Sequence, residues 1–141
     1  MADFPQLLHT VLDTTNPRRL AEFYRQLLGL AYRPGDEAPA DGEADDADWL
    51  VLVAGDGSRG DGRRLAFQQV GDLPRTTWPR DGVPMQLHLD FTVADTAELA
   101  RHRERAEELG ATLLLDRTDD HDEPLYVFAD PAGHPFCLFV G

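Results

Sequence analysis

A strand that runs straight into a capped helix occurs twice in this chain, at a constant spacing. His9 stands seven residues before Asn16, and His88 stands seven residues before Asp95, so the two segments superpose at an offset of 79. Residues 7–15 (LLHTVLDTT) and 85–93 (MQLHLDFTV) have the β-branched and apolar character of strands, and each is followed by a helix-capping side chain. A repeat of this kind constrains the fold more than any single element does. The 141 residues amount to one ordinary domain, and the repeat predicts that it is built from two copies of one unit.

The first helix begins at Asn16-Pro17, as cap and first helical residue, and carries Leu20, Phe23, Tyr24, Leu27 and Leu28 as a single apolar stripe up to a stop at Gly29. The second begins with Asp95 and Glu98 in a capping-box arrangement and ends near Leu109-Gly110. Strands are predicted over 49–53 and 64–70, joined by a hairpin through the turn-rich GDGSRGDGR. Three more are predicted over 111–115, 125–129 and 135–140, with Asp130-Pro131-Ala132-Gly133 as the tight turn between the last two. Both halves then read β-α-β-β-β. A single domain over 1–141 follows, with module 1 at about 5–70, module 2 at about 85–141, and a proline- and glycine-punctuated linker over 71–84 that contains Trp78.

Hydrophobic residues make up 42% of the chain, enough for a core despite a net charge of -13. The basic side is entirely arginine, 13 residues against 26 Asp and Glu, and that balance excludes nucleic acid as a partner. Seven of the thirteen residues from Asp36 to Asp48 are acidic and none is basic, so more than half of the net charge belongs to one stretch, read as a solvated loop. No apolar run reaches membrane-spanning length and the first residues do not resemble a signal peptide, so the expectation is a cytoplasmic protein with no membrane partner. Cys137 is the single cysteine, and an internal disulfide is impossible.

Two paired βαβββ modules resemble the vicinal oxygen chelate superfamily, which includes glyoxalase I, extradiol dioxygenases and bleomycin-resistance proteins. The resemblance is carried by residues 9–29 (HTVLDTTNPRRLAEFYRQLLG), 87–95 (LHLDFTVAD) and 130–138 (DPAGHPFCL), and with LAFQQV at 65–70 it is most similar to the glyoxalase-like branch. It implies an α+β fold in which two modules form a cupped mixed sheet around a small molecule, often on a divalent metal, and it implies a homodimer.

The resemblance also implies a ligand set. His9 and His88 match the first-strand positions of the two modules, Cys137 falls where the superfamily has a glutamate, and Gln68 falls near the fourth position. Two readings stay open. In one, the protein binds a small molecule in a cleft lined by His9, Gln68, His88, Cys137, Trp49 and Phe67, without the standard metal site and with no cofactor. In the other, His9, His88 and Cys137 hold a divalent metal, zinc being the best match to nitrogen and thiolate donors, and the protein is a metal-dependent lyase or isomerase. Loss of the glutamate argues against a dioxygenase, which needs a carboxylate in its facial triad. Cys137 in the apolar run FCLFV also reads as a plain core residue, and Trp49 and Phe67 as core aromatics. His102, His121 and His134 read as surface histidines, and the acidic run from Asp119 to Glu123 as a solvated turn.

Overall fold

The computed structural model describes residues 4–55 and 64–141, and the chain divides into two compact units, Met1–Leu73 and Pro74–Gly141. In the first, strand β1 (Thr10–Thr14) runs into helix α1 (Pro17–Leu28), followed by β2 (Ala31–Tyr32), β3 (Trp49–Val53) and β4 (Leu65–Gln69). In the second, β5 (Leu89–Val93) runs into α2 (Thr96–Leu109), followed by β6 (Thr112–Arg117), β7 (Leu125–Ala129) and β8 (Pro135–Val140). The offset of 79 holds at the start of the first strand, at its end, and at the start of the helix in each unit.

The helices begin and end for local reasons. The Asn16 side chain accepts a hydrogen bond from Arg19 N at 3.1 Å, and Gly29, at φ 67°, turns the chain out of α1 while its N–H donates to Arg25 O. In α2 the Asp95 side chain accepts from Glu98 N at 2.8 Å. Burial differs between them: α1 sinks Leu20, Ala21, Phe23, Tyr24 and Leu27, whereas α2 sinks only Leu99 and Ala106.

Each unit closes its own four-stranded mixed sheet, in the order β1-β4-β3-β2 and β5-β8-β7-β6. The first strand of each unit runs parallel to its last, and the remaining pairs are antiparallel. Parallel pairing needs a crossover, which the helix provides. In the first sheet Leu12, Phe67 and Leu50 lie side by side in register, and Tyr24 of α1 stacks on Phe67 at 6.1 Å. Alternation then places Val11, Asp13, Ala66, Gln68 and Trp49 on the face away from α1. In the second sheet Phe136 stacks on Phe128 at 5.2 Å within the core, and Asp90 and Cys137, which are register partners, take the opposite face.

Several strands are shorter than their apolar runs. β1 starts at Thr10 rather than Leu7, and Leu7 and Leu8 are 80% and 60% exposed. β5 starts at Leu89 rather than Met85, and β6 is displaced to Thr112–Arg117. A strand extends only as far as its neighbour offers a ladder, and apolar character beyond that point is not enough. The acidic stretch over 36–48 forms no helix or strand, yet it is tied down rather than merely solvated. Arg18 donates from Nε to Asp45 at 2.7 Å and from Nη1 to Asp36 O at 2.7 Å, and Asp36 accepts from Val51 N at 2.9 Å. The hairpin tip expected between β3 and β4 falls, except for Gly55, outside the described residues.

Candidate functional site

His9 and His88 occupy the same place in their units, one residue ahead of the first strand. What surrounds them differs. His88 shares a strand face with Asp90, two residues on, and its Nε2 lies 3.3 Å from Asp90 Oδ1. The register sets Cys137 of β8 directly opposite Asp90. One donor atom from each of the three residues lies within 4.8 Å of the others, the one such His/Cys/Asp/Glu group among the described residues. His88 and Asp90 are solvent-accessible and Cys137 is half-buried. Burial, with the charge of Asp90 beside it, pushes the Cys137 thiol up to about 11, so the neutral thiol hydrogen-bonds the carboxylate.

Asp90 had no place among the sequence-predicted site residues. The signal was present, because a histidine and an aspartate spaced by two on a strand share one face. The thiol joins them only through the β5–β8 register, which one strand's sequence does not contain.

The first unit has no equivalent cluster. Its β1–β4 register is the same as that of β5 and β8, and it puts Val11 where the second unit has Asp90, and Ala66 where it has Cys137. Gln68 therefore lies two residues beyond the Cys137-equivalent position, on the same face, exposed and paired in register with Trp49. Phe67 lies on the other face, fully buried under α1, and is a core residue rather than a cleft wall.

Trp49 does approach His9, with ring centroids 5.8 Å apart. Burial and the nearby Arg64 and Arg33 guanidiniums hold the His9 imidazole below its ordinary pKa. Its Nδ1 is buried without a hydrogen-bond partner.

The remaining sequence candidates are structural. His102 lies 3.5 Å from Glu98 on the surface of α2. The Asp120 carboxylate accepts from Asp122 N and Glu123 N, which makes the acidic run a turn held by its own aspartate.

The sequence profile of the Glyoxalase-like domain family matches residues 9–139. No curated protein matches the chain. Among solved structures, a glyoxalase/bleomycin resistance protein/dioxygenase family enzyme from Burkholderia phytofirmans superposes with a TM-score of 0.67 at 15% identity, over 94% of this chain and 96% of that one. The fosfomycin resistance protein FosX from Mesorhizobium loti gives 0.64 at 20% identity, over 100% and 94%. A FosX variant from Listeria monocytogenes, solved with Mn(II) and dihydroxypropylphosphonic acid, gives 0.66 at 16% identity, over 98% and 91%. Identities this low speak to the fold, which is that of the glyoxalase/bleomycin resistance group. The profile match spans both strand–helix repeats, and the chain belongs to the Glyoxalase-like domain family.

Proposed function

We propose that the chain binds an oxygen-bearing small molecule with the help of a divalent ion held by His88, Asp90 and Cys137. The observation that carries this reading is the convergence of one imidazole nitrogen, one carboxylate oxygen and one sulfur within 4.8 Å on the face of the second sheet that the core does not occupy. A mixed N, O and S donor set suits Zn²⁺ better than Mg²⁺ or Ca²⁺, which take oxygen. Three protein donors leave room for a ligand, as in sites that act on a substrate rather than staple a fold. When bound, such an ion polarises a carbonyl or chelates adjacent oxygens. Asp90 lies between the other two donors, facing the imidazole and, in the absence of an ion, accepting from the thiol, whose proton an ion bound there would displace. This set differs from the one implied by resemblance, since Asp90 is added and His9 and Gln68 are not in it.

A second reading is metal-free binding of the ligand by the same face. The protonated thiol on Asp90 favours it, because the cluster then satisfies its own hydrogen bonds.

Elemental analysis of untagged protein, purified without chelator, separates the two. The ion reading expects about one equivalent of zinc or a similar divalent ion, lost in Asp90→Ala and in Cys137→Ser. Protein that stays metal-free after dialysis against zinc leaves the second reading.

A further inference from the structure

The first unit carries a second group of opposite electrical character. Arg64 immediately precedes β4, and its carbonyl accepts from Thr10 N at 3.3 Å, which sets it beside His9 on the face away from α1. The residue is 9% exposed, and its Nε, like His9 Nδ1, is buried with no hydrogen-bond partner. Other arginines of this acidic chain do find carboxylates: Arg18, Arg25, Arg33, Arg101, Arg103 and Arg117 each pair with Asp or Glu. Among the described residues none pairs with Arg64. A buried guanidinium left without counter-charge is among the arrangements that folding alone penalises most, and a bound anion removes that penalty.

We propose that His9, Arg64 and Trp49 form an oxyanion subsite for a small organic acid. The Nε–H and an adjacent Nη–H of Arg64 take two oxygens of a carboxylate or phosphoryl group in the forked geometry for which guanidinium is suited. His9, in the tautomer protonated on Nδ1, adds a donor, and the Trp49 indole flanks the apolar body of the ligand. Burial, and then the Arg64 and Arg33 guanidiniums, lower the imidazole's pKa and so favour a hydrogen bond from His9 over another buried charge. The subsite rests on the small-molecule function proposed above but needs no metal ion.

The test uses the full chain, stripped of metal by dialysis and returned to low-salt buffer. Benzoate and methylphosphonate are titrated calorimetrically and by tryptophan fluorescence into wild type, Arg64→Met and Arg64→Lys. Saturable binding of at least one anion is expected, weakened more than about tenfold in Arg64→Met. It is weakened less in Arg64→Lys, which keeps the charge, loses the fork and guards against misfolding of the first variant. Benzoate alone binding marks a planar carboxylate as the ligand group, and methylphosphonate alone marks a tetrahedral one. Absence of saturable binding by either anion, or affinity unchanged in both variants, overturns the subsite. Anion binding in a protein that takes up no metal overturns the ion reading alone, and metal uptake without anion binding overturns the subsite alone.

Discussion

Asp130 is 1% exposed, and its Oδ1 accepts the N–H groups of Ala132, Gly133 and His134 at 2.9, 2.9 and 3.0 Å. One carboxylate thus organises the whole turn between β7 and β8. Asp130→Ala leaves several donors unsatisfied in a tight place and is expected to lower stability by about 2–4 kcal/mol, with Asp130→Asn costing less, as read from urea-denaturation midpoints. Glu22 makes a milder case. Hydrogen bonds from Arg25 and from the Tyr32 hydroxyl hold its carboxyl below the ordinary glutamate value. A depressed native pKa means stability that is present above pH 4.5 and lost as pH falls through the native value. Partial exposure limits the effect, so Glu22→Gln is expected to be less stable near neutral pH by under about 1 kcal/mol, with the difference closing in acid melts. The sequence revealed that a turn and a helix surface lie at these places. That single carboxylates organise them was not legible, since it depends on which backbone groups the folded chain brings within 3 Å.

The two helices are matched in placement and unequal in anchorage. α1 buries Leu20, Phe23, Tyr24 and Leu27 of its stripe together with Ala21, while α2 relies on Leu99, Ala106 and its caps, with Glu98–Arg101 and Arg103–Glu107 pairs on its exposed side. Native-state hydrogen exchange is therefore expected to find α2 opening at lower free energy than α1, and Asp95→Ala to lower stability by about 1 kcal/mol. Element type and order were legible because periodicity and caps are local: both helices, the β7 and β8 spans and the turn at 130–133 lie where the pattern puts them. Strand ends were not: Leu7 and Leu8 look like β1, yet the described pairing with β4 begins at Thr10. The candidate site was half legible for the same reason. The His9 and His88 positions follow from the repeat, whereas Asp90 beside Cys137 and Arg64 beside His9 are facts of register between strands far apart in the chain.

At the scale of the whole molecule, the charge of -13 is concentrated in a loop that Arg18 holds, with its guanidinium also 4.9 Å from the Tyr32 ring centre. Self-repulsion of that size outweighs exposed ion pairs that contribute well under about 1 kcal/mol each. Thermal melts are accordingly expected to rise by a few degrees between roughly 10 and roughly 300 mM NaCl; a fall would mean that the pairs dominate. Arg18→Ala is expected to make the stretch over 36–48 the first site of limited proteolysis.

The shared register makes the two units comparable position by position. The two units share the same spacing from strand to cap to helix, while Val11 and Ala66 stand where the second unit has Asp90 and Cys137. One scaffold is thus used twice with different chemistry on it, soft and acidic donors in the second unit and a buried arginine in the first. The first unit stands two substitutions away from the second unit's trio.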